Sequence, residues 1–252
     1  MKSKLYGYYS GDGLYGLPSL STRPTYSSVY ASNNVDKYKI YPTEVGFVEK
    51  SFKGVFINSI EVCTYLTYLI NGSPLHIESL FVPDDKVHFI SCEFKTLILD
   101  NRNLLIDRGQ MVDNIVWNAE YLKKISAQDN EREITRGDGS YMDVERDILK
   151  SVGHLRKDYS RLIRVLASAL HFLKTDAYPL TNLKEVNGAV FELCVALELG
   201  ASFRREDLDA TVDAYVKDIE KFCLDGDEEK FRFDSSVALG ALKEFDRITK
   251  NR

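Results

Sequence analysis

The stretch KGVFINSIEVCTYLTYLING, residues 53–72, changes its hydrophobic pattern halfway along. Its first part, 53–60, combines β-branched and aromatic residues in the way typical of a short strand. Its second part, 59–72, repeats apolar side chains on one helical face and ends at Asn71 and Gly72, a common stop signal for a helix. A strand that leads into a helix indicates a protein of the α/β or α+β class.

The segments around this stretch divide the chain into two halves near residue 108. Before that point, further strands are predicted over 86–94 and, with weaker patterns, over 27–32 and 44–52. After it, the sequence predicts amphipathic helices over 111–125, 159–174 and 204–222. The polar, glycine-containing segment 127–141 is predicted to be a mobile loop or linker. We therefore expect an α+β domain over residues 1–108, followed by an all-helical domain over residues 109–252.

The composition is that of an ordinary globular protein, with 44% apolar and 28% charged residues. The formal net charge is −5, so nucleic-acid binding would need a local basic patch. Four cysteines without close spacing argue against a zinc site or a disulfide framework. The beginning of the sequence lacks a signal-peptide pattern, and apolar runs stay short of membrane-spanning length. We therefore expect a cytoplasmic protein without a membrane partner.

A second distinctive stretch, YGYYSGDGLYGLP at 6–18, concentrates glycines among tyrosines, a composition that suits a tight turn or a phosphate-holding loop. Its core GDGLYG (11–16) is followed by LINGSPLHIESLFVPDD (69–85), KDYSRLIRVLASALHFLKTDAYPL (157–180) and ELGASFRREDL (198–208). In order and approximate spacing, these stretches resemble motifs of predicted nucleotidyltransferases of bacteria and phages, in the DNA polymerase β superfamily. The resemblance implies a mixed-sheet nucleotidyltransferase-like domain before the helical one.

The resemblance also implies which residues bind a substrate. Gly11, Gly13, Tyr15 and Gly16 stand where the family's loop cradles phosphates, although Asp12 replaces the family's phosphate-binding serine. The family lines the opposite side of its cleft with three side chains of one helix, which here are Lys157, Arg161 and Arg164. Their spacing of i, i+4 and i+7 places them on one helix face. They form either an anion clamp for phosphate or nucleic-acid backbone, or a solvated face paired with Asp158.

The family's chemistry implies a Mg²⁺ site, because nucleotidyl transfer uses two divalent ions held by carboxylates. In the segment NNVDKYKI (33–40), Asp36 matches the family's second aspartate, and Asn34 stands in place of the first. Glu49 is the candidate third ligand, and Asp12 is a further catalytic candidate. The metal site is therefore predicted to be incomplete, and Mg²⁺ is expected only if the protein is catalytically active.

Two functions follow from these expectations. The first is a nucleotidyltransferase-like protein that binds a nucleotide or polyphosphate ligand between the two halves and transfers an NMP to a hydroxyl acceptor. The second is a catalytically inactive relative that serves as a binding or regulatory module for a protein, a nucleotide signal or RNA. Fold alone does not distinguish them, and convergence of Asp36 with Asp12, Glu44 or Glu49 would favour the enzyme.

Overall fold

The computed structural model describes residues 2–10, 12–17, 25–32, 47–52, 55–135, 141–225, 233 and 235–250. These residues contain five strands and ten α-helices, as well as three short 3₁₀ turns, so the α+β class is confirmed. The strands are β1 (Lys2–Ser10), β2 (Thr25–Ser32), β3 (Phe47–Phe52), β4 (Val55–Glu61) and β5 (Val87–Ile90). The 3₁₀ turns are Asp12–Tyr15, Asp84–Lys86 and Leu99–Asn101.

The helices make up most of the described chain. They are α1 (Val62–Ile70), α2 (Pro74–Ser79), α3 (Cys92–Leu97), α4 (Arg102–Leu105), α5 (Arg108–Thr135), α6 (Tyr141–Thr175), α7 (Leu183–Val186), α8 (Gly188–Glu198), α9 (Arg205–Asp225) and α10 (Ser235–Lys250). None of the helices described combines the length and the apolar character that crossing a bilayer requires.

The strands form one mixed sheet in the order β3-β4-β2-β1-β5. β2 and β4 pair in parallel, and the other neighbours are antiparallel. β3, which lies between β2 and β4 in the sequence, is an edge strand of the sheet and pairs antiparallel with β4. The mixed sheet agrees with the expected one, while the specific nucleotidyltransferase-like fold stays a prediction.

Local signals explain why the opening stretch changes from strand to helix. β4 ends at Glu61, whose carboxylate accepts a hydrogen bond from the Cys63 amide at 2.7 Å and so caps α1. The predicted helix over 59–72 therefore begins only at Val62. It ends as predicted, because Asn71 is its C-cap and Gly72 follows with a φ of 71°.

Several other boundaries differ from the expected ones. The predicted strand over 86–94 is β5 only as far as Ile90, because the Ser91 hydroxyl accepts from the Phe94 amide and starts α3. The predicted loop over 127–141 is wrong for 127–135, which continue α5, and for Tyr141, which begins α6. The first part of the glycine-rich stretch, 6–10, belongs to β1 and not to a loop.

The buried core is continuous across residue 108. Among its fully buried large side chains, Tyr6, Tyr65 and Phe94 come from the sheet half, while Tyr159 and Phe172 come from α6. The division into domains 1–108 and 109–252 stays a prediction. What matters for function is that α2, α5 and α6 meet where the two sequence halves join.

Candidate functional site

A cavity of about 690 Å³ opens between α2, α5 and α6. This volume lies within the range of sites that bind small molecules. Leucine, isoleucine, valine and proline side chains form much of its wall. The polar and charged groups include Glu78, Asn114, Asn118, Asp158, Arg161 and Arg164. This arrangement, apolar walls with a few polar groups, is the one expected of a ligand site.

The cationic face predicted on α6 lies partly at this cavity. Arg161 and Arg164 both line it, whereas Lys157 is exposed and is not one of its lining residues. Asp158 also lines the cavity, but among the described residues neither Lys157 nor Arg161 forms an ion pair with it. Arg161 is exposed and lines the cavity, so both interpretations of this face, the anion clamp and the solvated face, stay predictions.

Arg164 is almost completely buried, with 4% of its surface exposed. Its guanidinium carbon lies 3.8 Å from the centre of the Tyr15 ring, a close cation–π contact. Tyr15 is itself buried and ends the 3₁₀ turn that follows β1. The structure thus brings together two residues that the family resemblance assigned to one site, although they lie about 150 positions apart in the chain.

Glu78 of α2 lies at the same cavity as Arg164. No role was predicted for it from the sequence. It is buried, it lines the cavity, and its Oε1 accepts a hydrogen bond from the Tyr178 hydroxyl at 3.3 Å. Burial raises the pKa of the Glu78 carboxyl, although Arg164 and the hydroxyls of Tyr15 and Tyr178 oppose the shift. The sequence signal was an acidic residue among the apolar residues Ile77, Leu80 and Phe81, since a buried glutamate is unusual unless it has partners.

Burial and the Glu78 carboxylate together raise the pKa of Tyr15 and Tyr178 well above the usual tyrosine value. Both phenols are therefore neutral at pH 7. Tyr178 acts as a hydrogen-bond donor to Glu78, and Tyr15 offers its ring face to Arg164. The contact with the Tyr15 ring holds the Arg164 guanidinium at the cavity wall.

The glycine-containing 3₁₀ turn, Asp12–Tyr15, lies next to Arg164 through the contact of Tyr15. Asp12, Gly13 and Tyr15 form the 3₁₀ turn, and Gly16 follows it in the left-handed region with a φ of 68°. A side chain at Gly16 would meet nothing within 4 Å. The turn therefore needs glycine at this position for its backbone conformation and not for space.

The structure describes only part of the predicted metal site. Gly11, Asn34, Asp36 and Glu44 lie outside the described residues, so their predicted roles stay predictions. Glu49 lies in β3, opposite Asn58 of β4, and β4 and β2 separate it from β1.

Three strand spacings place Glu49 about 14 Å from β1, which leads into the turn that holds Asp12. The backbone therefore places Glu49 in the edge strand β3, three strands away from the strand that leads to Asp12. Among the described residues, no group of three or more His, Cys, Asp or Glu side chains could hold a metal ion. The predicted metal site, with Asp36 as its central residue, stays a prediction.

Comparison with known proteins adds no assignment to this geometry. No protein-family model matches the chain, and no curated protein is significantly similar to it.

Proposed function

We propose that this protein binds a nucleotide or another polyphosphate ligand in the cavity between α2, α5 and α6. The observation that carries the proposal is the pair Arg161 and Arg164, which lie on consecutive turns of α6 and line one cavity. Guanidinium groups bind phosphate oxygens through paired, charge-assisted hydrogen bonds. Two of them on one wall suit a ligand with more than one phosphate.

The two arginines have different parts in this proposal. Arg164 is held by its contact with Tyr15, so its position is set before a ligand arrives. A group that is already positioned loses less conformational entropy on binding than a mobile one. Arg161 is exposed and can adjust to the ligand.

The acidic neighbours are compatible with an anion. The raised pKa of Glu78 favours its neutral carboxyl form relative to an ordinary glutamate, which reduces repulsion of a phosphate. Asp158 is exposed, so solvent screens its charge. The lining therefore carries two arginines against two acids, of which Glu78 has a raised pKa and Asp158 is exposed, and this balance is compatible with an anionic ligand.

The resemblance to nucleotidyltransferases extends the proposal to transfer of an NMP to a hydroxyl acceptor. Bound Mg²⁺ would supply activation of the acceptor hydroxyl and stabilisation of the leaving pyrophosphate. Asp36 is the residue proposed to hold it, with Asn34 as a neutral second ligand. In the alternative proposal, the protein binds the same ligand without transfer and acts as a regulatory module for a protein or RNA.

Calorimetric titration tests the binding proposal. The four ribonucleoside triphosphates and inorganic tripolyphosphate are titrated separately, with and without Mg²⁺. Replacing Arg161 by Ala should weaken binding about tenfold or more, because a charge-assisted hydrogen bond contributes roughly 1.5–3 kcal/mol. The matched control is Lys174→Ala, which removes an exposed cation from the end of the same helix, away from the cavity lining.

Unchanged affinity in Arg161→Ala, or absence of binding by every probe, would contradict the proposal. The catalytic extension is tested separately with α-labelled triphosphates. Label transfer that needs Mg²⁺ and is lost in Asp36→Asn supports the enzyme. Binding without transfer supports the regulatory module.

A further inference from the structure

Two aromatic side chains of α5 stack on each other beside the cavity. The ring centroids of Trp117 and Tyr121 lie 5.1 Å apart, and their planes differ by only 8°. Trp117 is 59% exposed and Tyr121 is 50% exposed, although both are large apolar groups. Tyr121 also lines the cavity that contains Arg161 and Arg164.

The position of the pair follows from helix geometry, but its exposure does not. Residues at i and i+4 are neighbours on a helix, and their contact stabilises the helix by a few tenths of a kcal/mol. That contact covers one face of each ring, so half of each side chain is left in water. Adjacent exposed aromatic surfaces of this kind commonly mark interaction sites.

The same helix face carries hydrogen-bonding groups next to the rings. Asn114 and Asn118 line the cavity on either side of Trp117 in the sequence. The Asn118 side-chain amide donates to both the backbone and the side-chain oxygen of Asn114 at 2.7 Å. Among the described contacts, the Asn118 side-chain oxygen accepts no hydrogen bond, so it can accept one from an exocyclic amine.

We infer that the phosphate-bearing ligand is a nucleotide whose base stacks against the Trp117–Tyr121 pair while its phosphates reach Arg161 and Arg164. Every nucleobase has a π-face that an aromatic ring can stack against. A bare polyphosphate has no group that would contact these rings. This inference rests on the proposed function and adds the chemical class of the ligand.

Intrinsic fluorescence provides a direct test, because Trp117 is the chain's single tryptophan. Each of the four ribonucleoside triphosphates is titrated against the full chain, with inorganic tripolyphosphate as the probe that lacks a base. A stacked base should change Trp117 emission, and tripolyphosphate should change it much less. At least one nucleotide should bind about tenfold more tightly than tripolyphosphate, as stacking energies predict.

Tyr121→Ala should lower nucleotide affinity about tenfold and leave tripolyphosphate affinity unchanged. The matched control is Phe203→Ala, which removes another exposed aromatic side chain outside the cavity lining. Equal affinities for nucleotides and tripolyphosphate, both unaffected by Tyr121→Ala, would overturn the inference but keep the proposed anion site. Absence of binding by every probe would overturn the proposed function and this inference with it.

Discussion

At the scale of single residues, His76 shows how packing sets a charge state. Its ring stacks on Tyr68 with centroids 4.8 Å apart, and its Nδ1 lies 2.8 Å from the Ser73 hydroxyl oxygen. Burial lowers the pKa of His76 from 6.5 to about 4. The folded protein therefore contains a neutral histidine at every pH above about 5.

This pKa predicts how stability depends on pH. Between pH 6.5 and 4, the unfolded chain binds a proton at His76 that the folded chain does not, so the free energy of unfolding falls as pH falls. The contribution from His76 between pH 7 and pH 5 is on the order of 1–2 kcal/mol. His76→Asn should remove this part of the decline, as measured by urea denaturation of both proteins at the two pH values.

The comparison isolates His76 because the two proteins share all other titrating groups. A decline between pH 7 and pH 5 that is equally steep in His76→Asn would contradict the prediction. The denaturant slope of the two proteins should agree, since a changed slope would indicate a different unfolded or folded state.

Residue spacing predicted only part of the candidate site. The period of α6 put Arg161 and Arg164 on one face, and that much is visible in the sequence. Their different environments are not, because Arg164 is buried by contact with Tyr15, which is distant in the chain. Glu78 was missed for the same reason, since its partner Tyr178 lies 100 positions away.

At the scale of elements, the same backbone conformation occurs at two glycines with different surroundings. Gly72 has a φ of 71° and Gly16 has a φ of 68°, so alanine would be strained at both. A Cβ at Gly72 would lie 2.3 Å from backbone atoms of Gln110 and Met111 at the start of α5. At Gly16 it would meet nothing. The end of α1 therefore sits directly on α5, and only glycine allows this approach.

We predict that Gly16→Ala costs about 1 kcal/mol of unfolding free energy, from backbone strain alone. Gly72→Ala should cost about 2–4 kcal/mol, because the clash with the α5 backbone adds to that strain. Thermal or urea denaturation of the two variants measures the difference directly. Equal losses in the two would show that α1 and α5 separate easily, against the close contact described.

Two element boundaries show why local sequence patterns did not predict every strand and helix. β1 was not predicted because Gly7, which lies among three tyrosines, was interpreted as part of a glycine-rich turn. In the structure, β2 and β5 pair with β1 on both sides. Pairing across the sheet outweighs the weak strand preference of glycine. The extension of α5 to Thr135 was missed because its last two turns are polar and lack an apolar stripe.

At the scale of the whole molecule, the last helix returns to the sheet half. α10 contacts α1, α4 and β2, and it buries Ala238, Ala241 and Phe245 on one stripe. The Phe245 ring, 1% exposed, lies 6.4 Å from the ring of Phe94 in α3. No helix was predicted over 235–250, and periodicity alone would not show which surface such a helix covers. The last described helix therefore packs against elements of the first 108 residues.

These contacts predict that the two sequence halves unfold together. Phe245→Ala should lower the free energy of unfolding by about 3–5 kcal/mol, as truncation of a buried phenylalanine usually does. The exposed Leu239 of the same helix, 54% accessible, gives a matched control whose change to Ala should cost about 0.5 kcal/mol or less.

Trp117 fluorescence reports on α5, and hydrogen exchange of β1 and β2 amides reports on the sheet. In Phe245→Ala both signals should shift by the same free energy, because the core is continuous across residue 108. A sheet that loses protection while the Trp117 transition stays unchanged would instead support two domains, 1–108 and 109–252, that fold independently.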